Sequence, residues 1–482
     1  MKGLLGSTYG RLGIGLILLG TAFHLWDSTR LELAGDEAYY WLWSRHLDIC
    51  YLDKGPMIAW LIRAGTSLFG QTVLGVRFFG VLLAGGTGLG LFLLAKQLFS
   101  DRVGFWAVTV GLFTPLFAVG ASLMTPDTLY VFFWTWAALV FWRAKDERRL
   151  GWWVLTGALV GLGMLSKYTA AVELLSFAAF CVWHRPSRSH LRQSTFGIML
   201  GTVLLFLVPA LVWNCQHGWQ TIHWMLHRGS LDEQVHFRPF SIFIFLGEQA
   251  GVISLLLFIG LLIALCRPSF GNVTPVETIY VISLFLPLFL FYLILSVRYV
   301  GKPNWTAAAY ISGIILLAAK WDGLARRHRW ARVAAVVALV MAALETIALR
   351  ETRWLQLPRG TDPLDRVRGF RNMAKAVSRE QNQTGAHIVI ANNYMTAALL
   401  SFYLPGQPET FVPITTSPFN QLELWPTYRE KYPAGEALLI TDRKGLSRQL
   451  REGFSYVQWR PFIERRDAGR LIKRYNVFFC RW

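Results

Sequence analysis

One aromatic stretch near the start of the chain, GDEAYYWLWSRHLDICYLDKGPMIAW (35–60), carries four carboxylates, Asp36, Glu37, Asp48 and Asp53, and the ammonium of Lys54. A carboxylate can take the proton of an attacking hydroxyl and a lysine can neutralise a phosphate as it departs, so the set is equipped for transfer from a phosphate-linked donor. Asp36, Asp53 and Glu37 are the candidate catalytic acids, and Lys54 is the candidate phosphate contact. The plainer reading of Asp36 and Glu37 is structural. Acids favour the first turn of a helix, and AYYWLWSRHL reads as an amphipathic one at headgroup level. Asp53 and Lys54 recur at the far end of the same loop, where GPMIAWLI turns apolar again. Charges at a membrane boundary are costly to desolvate unless paired or used.

Later motifs add to this set. MTPD (124–127) places Asp127 at the head of an apolar run, where an acid after Pro126 would also suit a helix start. LSKYT (165–169) sets Lys167 in a stretch otherwise nearly apolar from Leu150 to Val182, and its plain alternative is a snorkelling lysine. RYVGKPNW (298–305) supplies Arg298 and Lys302. Lys54, Lys167, Arg298 and Lys302 are therefore the expected donor-phosphate contacts, and Asp127, Tyr39 and Tyr168 the expected substrate contacts. In the 214–240 loop His223 and His227 have i, i+4 spacing, the weak outline of a metal site that also contains His217 and His236 nearby. No HExxH acid lies between them, so an interfacial helix competes and no metal is assigned. No cofactor is required by these residues, and participation of a divalent cation is left open. The five cysteines show no CxxC spacing, and neither a phosphate loop nor a GxSxG serine is present.

The elements that must position these groups are membrane spans. Hydrophobic residues make up 54% of the 482, charged ones only 16%, and the mean hydropathy is +0.38, a departure from soluble proteins toward bilayer-embedded ones. The formal charge of +19 would suggest nucleic acid in a soluble chain, but many Lys and Arg fall in short loops between apolar runs, where they set orientation. Nucleic acid is not an expected partner; the lipid bilayer is. Lys2 and Arg11 precede an apolar run to Trp26 with no small-residue cleavage site after it, which reads as an uncleaved first span. Further runs lie near 73–98, 103–123, 127–143, 150–166, 168–183, 194–213, 241–265, 277–297, 304–320 and 331–349, giving about eleven spans. The glycines of AGGTGLGLF (84–92) are read as permitting close helix packing.

Loops at 95–102, 143–149, 184–192, 266–268 and 320–332 are all basic, which makes their side cytoplasmic. Counting spans from a cytoplasmic N-terminus puts 36–60, MTPD, LSKYT, 214–240 and RYVGKPNW together on the opposite face. From about Arg350 the character changes. AHIVIANN (386–393) and EALLITDR (436–443) read as short strands with a helix, MTAALLSFYL (395–404), between them, so a small α/β domain is expected on the extracytoplasmic face. The organisation expected is thus a polytopic α-helical membrane domain, 1–349, with loops 27–72 and 214–240, followed by an α/β domain at 350–482.

The first-loop motif, followed by MTPD, GLGMLSKYT and GKPNWTAAAY, resembles the bacterial branch of the dolichyl-phosphate-mannose protein mannosyltransferase superfamily, which includes the lipid A aminoarabinose and galacturonic acid transferases. The resemblance runs over about residues 10–320 and leaves 350–482 without an inherited role. It implies the C-type glycosyltransferase fold in a bacterial inner membrane. It also implies inverting transfer of a monosaccharide from a polyprenyl-phosphate carrier to a lipid, glycan or protein acceptor on the periplasmic face. In that family the acid after the first span is the proposed base, which matches Asp36, and the later acid–cation pair matches Asp53 and Lys54. Many members carry DHPP or EKPP where this chain has DKGP, so Gly55 replaces a proline. The competing class is a transporter or flippase of a lipid-linked sugar, which would explain spans and cations but accounts less well for acids gathered on one side.

Overall fold

The computed structural model describes residues 6–147, 149–228, 238–266, 275–299, 301–358, 360–414 and 420–482. Contacts divide the chain into two compact units. The first comprises Met1–Asp27, Lys54–Leu61 and Arg77–Arg350, and the second Ser28–Asp53, Ile62–Val76 and Glu351–Trp482.

Helices run in order α1 (Thr8–Asp27), α2 (Gly35–Arg45), α3 (Met57–Phe69), α4 (Val73–Leu98), α5 (Asp101–Phe113), α6 (Pro115–Gly120), α7 (Pro126–Ala144), α8 (Leu150–Met164) and α9 (Val172–Trp183). They continue as α10 (Ser194–Gln216), α11 (Gln220–Arg228), α12 (Ser241–Ile253), α13 (Leu255–Cys266), α14 (Pro275–Ser296), α15 (Ala307–Arg327), α16 (Arg329–Arg350), α17 (Phe370–Thr384) and α18 (Tyr394–Tyr403).

The polytopic helical architecture is borne out, but the expected count of about eleven spans is not reproduced. Among the described residues five helices are long and apolar enough to cross a membrane, or six if the bent pair α12–α13 counts as one. Two causes produce the difference: α1 and α7 have 20 and 19 residues but are too rich in polar and aromatic side chains, and others are broken. Pro115 ends α5 after 13 residues, and α8 and α9 are 15 and 12 residues long with Lys167 in the gap. At about 1.5 Å per residue such helices fall short of a hydrocarbon core.

In the first unit α15 is the central helix, 83% of its apolar window being buried, against 17% for α10 and α16. The glycines let neighbours close in. A Cβ on Gly85 would lie 2.4 Å from Thr21 of α1, and one on Gly90 would lie 2.9 Å from Thr135 of α7. Gly157 and Gly161, four apart on α8, likewise sit against Met199 and Phe206 of α10, the small-residue packing that spans use in place of a hydrophobic drive. At the end assigned to the cytoplasm, Arg102 pairs with Asp322 at 2.7 Å, joining two of the basic loops.

The second unit holds a four-stranded sheet in the order β1-β2-β4-β3, from β1 (Ile388–Ala391), β2 (Glu436–Thr441), β3 (Tyr456–Asp467) and β4 (Arg470–Arg481). β1 and β2 are parallel with α18 following β1, close to the sequence expectation, whereas the β3–β4 hairpin was not foreseen. Its strand YVQWRPFIERRD is arginine-rich and contains Pro461, which argues against a central strand. β3 is an edge strand, and it advances three residues from Arg460 to Ile463 while β4 moves only from Val477 to Tyr475, a bulge that accommodates the proline. The two turn residues, Ala468 and Gly469, have φ of 45° and 84°, as a tight hairpin requires.

The expected grouping put the first loop with the spans; contacts group 28–53 and 62–76 with the tail. The reason is a set of hydrogen bonds across more than three hundred residues. Leu33 N–H donates to the Tyr403 hydroxyl at 2.7 Å, Leu52 N–H to Gln421 Oε1 at 2.8 Å, and Gln421 N–H to the Tyr39 hydroxyl at 2.6 Å. Gly35 faces Met395 of α18 so closely that a Cβ would sit 2.6 Å away. The Glu32 carboxylate accepts from the first N–H groups of α17, at Phe370 and Arg371.

Asp362 anchors the start of this unit. Its carboxylate accepts from Thr352 Oγ1 at 2.6 Å and Leu364 N–H at 2.9 Å, with Arg368 and Arg470 beside it. Burial pushes the carboxyl up, but those hydrogen bonds and guanidinium charges outweigh it and hold it below the usual value. The stability it contributes is therefore present above about pH 4 and is lost as the pH falls through the folded-state value. Asp362→Ala leaves Arg368 buried and short of a partner, so the expected cost is about 3–5 kcal/mol of local stability. Hydrogen exchange of the sheet at pH 7 measures it, and the difference from the unsubstituted protein shrinks below pH 4.

Candidate active site

Three chain segments of the first unit meet at one ion pair. The Lys167 ammonium donates to Asp127 Oδ1 at 2.6 Å, and Asn304 Nδ2 donates to Asp127 Oδ2 at 2.8 Å. The lysine and aspartate side chains are only 12% and 19% exposed. Local sequence explains each position. Pro126 opens α7 and leaves Asp127 in its first turn; Lys167 stands in the break between α8 and the short turn Tyr168–Ala171; Asn304 lies in the 3-10 turn Pro303–Thr306. The Lys167 ammonium also lies 5.7 Å from the Tyr130 ring and 5.6 Å from Trp305, an aromatic wall suited to a cation.

Lys54 is brought to the same segment by its neighbour. Gly55 packs on the backbone at Leu165, where an added Cβ would be 2.0 Å from the carbonyl oxygen, and Met57 N–H donates to that oxygen at 3.4 Å. The glycine in DKGP thus permits residues 54–57 to lie against the loop that bears Lys167. A proline, which has a Cβ, could not take this place without displacing the segment. The Lys54 ammonium is 5.5 Å from the Trp224 ring of α11.

The acids are organised in the second unit. Asp36 is in the first turn of α2, and four residues on, one turn away, Tyr40 is buried. Burial first, and then the negative charges of Asp36 and Asp53, push the Tyr40 hydroxyl well above its ordinary value. Both carboxylates therefore bear on one protonated hydroxyl. Tyr39 is raised by burial and by Asp53 in the same way, and it packs 4.6 Å from Tyr394. Glu37 is fully buried and accepts from Ala34 N–H at 2.9 Å, so it caps its own helix.

The remaining expected residues flank the same segments in sequence. Tyr168 follows Lys167 directly, half-buried; Lys302 precedes the Asn304 turn, exposed; Arg298 lies just past α14. His223 is exposed on α11, while the side chain of His227, and all of His236, lie outside the described residues. Among the described residues no three His, Cys, Asp or Glu side chains gather to hold a metal ion. All five cysteines are free thiols.

Residues 53–213 match the family described as dolichyl-phosphate-mannose-protein mannosyltransferase. The lipid A galacturonosyltransferase RgtD of Rhizobium johnstonii is 26% identical over 400 residues, 81% of this chain and 82% of that protein. The undecaprenyl phosphate-alpha-4-amino-4-deoxy-L-arabinose arabinosyl transferase of Pseudomonas savastanoi is 26% identical over 238 residues, 46% of this chain and 44% of its own. The crystal structure of ArnT from Cupriavidus metallidurans bound to undecaprenyl phosphate superimposes with a TM-score of 0.67 at 15% identity, covering 98% of both chains. Over that segment, 53–213, the chain is similar to the mannosyltransferase family, and over most of its length to the galacturonosyltransferase. Its fold is that of the C-type glycosyltransferases, and the matched family segment contains Asp53, Lys54, Asp127 and Lys167.

Two residues beside the candidate groups escaped the sequence reading. Asn304 stood inside the quoted GKPNW, but only the fold shows it bonded to Asp127. Tyr40 carried a usable signal, its i, i+4 spacing from Asp36. Gly55→Ala is expected to push residues 54–57 off Leu165 and lower transfer more than about tenfold, since misplacing a substrate-positioning group by about 1 Å can cost far more than it does in stability. Transfer rates and thermal midpoints measured on the same detergent-purified samples check it.

Proposed function

We propose that this chain moves a monosaccharide from an undecaprenyl-phosphate carrier to lipid A, using Asp36 as base and Lys54 with Lys167 at the donor phosphate. It is a multi-pass protein of the bacterial inner membrane whose chemistry takes place on the periplasmic side. The observation that carries the residue assignment is the packing of the Lys54–Met57 segment against the loop of Lys167, which supports two ammonium groups serving one phosphate. The relatives are named as transferases of lipid-linked sugars, which favours bond-making over translocation.

In this reading the acceptor hydroxyl gives its proton to Asp36 as its oxygen bonds to the anomeric carbon. The bond from that carbon to the phosphate oxygen breaks, and undecaprenyl phosphate leaves with the electron pair. A single displacement inverts the anomeric centre. Lys54 and Lys167 stabilise the charge that grows on the leaving phosphate, and in a dry, low-dielectric site such pairing is worth more than in water. Glu37 serves as the helix cap, and Asp127 orients Lys167.

Proteoliposomes containing lipid A, with undecaprenyl phosphate-linked galacturonic acid or 4-amino-4-deoxy-arabinose supplied separately, test this. Asp36→Asn is expected to lower turnover by about 10²–10⁴ with little change in donor affinity. Lys54→Ala is expected to lower it at least about 10² and to weaken donor binding too. Full turnover by a folded Asp36→Asn variant would refute the base assignment.

A further inference from the structure

Gln249 lies on α12, wholly buried in the first unit, and all of its amide is used on one target. Its Oε1 accepts from the Thr306 hydroxyl at 2.6 Å and the Tyr310 hydroxyl at 2.9 Å, and its Nε2 donates to the Pro303 carbonyl at 3.3 Å. The three partners bracket the short turn Pro303–Thr306 and the first turn of α15. The opposite side of that turn bears Asn304, bonded to Asp127, and Trp305, 5.6 Å from the Lys167 ammonium.

α12 is itself held in an unusual way. It ends at Ser254, a non-glycine residue with φ of 78°, and α13 departs at 112° to it. A serine in the left-handed region is strained and persists only where the surroundings enforce it. The break frees α12 from the direction of α13 and lets it present Gln249 to the turn.

We infer that Gln249 is a positioning residue for the donor phosphate. It acts through the turn that fixes Asn304 and Trp305, and through them the Asp127 carboxylate and the Lys167 ammonium. This deepens the proposed role of Lys167 and rests on it. Without the amide, the turn loses the acceptor shared by Thr306 and Tyr310. Asn304 then no longer holds Asp127 in one orientation, and Lys167 spends its charge on a mobile carboxylate rather than on the ligand.

Equilibrium binding of undecaprenyl phosphate and of undecaprenol, a neutral alcohol with the same tail, to the full-length protein in nanodiscs tests this. Gln249→Leu is expected to weaken the phosphate ligand about tenfold and to leave the alcohol within about twofold. Tyr310→Phe, which removes one hydroxyl from the same oxygen, is expected to weaken the phosphate ligand about threefold, with the double variant no worse than Gln249→Leu alone. A merely structural amide would weaken both ligands equally, and that outcome overturns the inference, as does wild-type phosphate affinity in a folded Gln249→Leu. Should Gln249→Leu fail to fold, Tyr310→Phe decides by the same phosphate-to-alcohol ratio. Lys167→Ala separates the two levels. If it leaves the phosphate preference intact, the role of Lys167 is wrong; if it removes the preference while Gln249→Leu keeps it, only the role of Gln249 is wrong.

Discussion

An ammonium inside a membrane domain must be paired, and the Lys167–Asp127 contact is the constraint from which most of the first unit follows. Desolvating a lysine alone costs more than the helices around it could return. The pairing requires the head of α7, the break after α8 and the turn before α15 to lie at one end of the helix assembly. The same requirement explains why the apolar stretch around Lys167 is two short helices rather than one long span. Helix length is here subordinate to charge placement. The glycines serve the same end, since close helix approach at Gly85, Gly90, Gly157 and Gly161 fills the space that larger residues would hold open.

The acids answer to a different set of forces. Asp36 and Asp53 belong to a loop whose backbone is stitched to the tail through Tyr403, Gln421 and Met395, and whose buried aromatics pack among themselves, Trp43 stacking on Tyr51 at 4.3 Å. The chain passes from one unit to the other at the Asp53–Lys54 peptide bond. Carboxylate and ammonium are consecutive in sequence, yet each is oriented by its own packing environment. The tail thus has a physical task, that of ordering the loop that bears Asp36 and Asp53.

Much of this was legible from residue types. The run of Trp and Tyr around charged residues, the one-sided polar motifs and the basic loops on the other side gave the membrane class, the face of action and the site candidates. The contact between Arg102 and Asp322 and that between Lys167 and Asp127 each join loops that charge bias had put on one side. Glu37 illustrates the opposite case, because a capping role and a catalytic role have the same sequence signature, and the bond to Ala34 N–H is visible only in the fold. The span count differs for a related reason: apolar composition does not report the breaks at Pro115, Lys167 and Ser254.

The sequence by itself determined the solvent of this protein, the side on which its charges gather and the residue chemistry available there, because burial cost and the positive-inside bias act on residue types wherever they meet. It also determined strands β1 and β2, whose continuous apolar runs admit few alternatives. Only the tertiary structure decided which charges pair, that Gly55 is the point of backbone contact beneath Lys54, that Tyr40 is buried within the influence of both acids' charge and that Gln249 clamps the turn behind Asp127. Those facts join residues up to several hundred positions apart. Such contacts depend on the balance of desolvation and hydrogen-bond geometry across the whole packed chain, which local pattern does not contain.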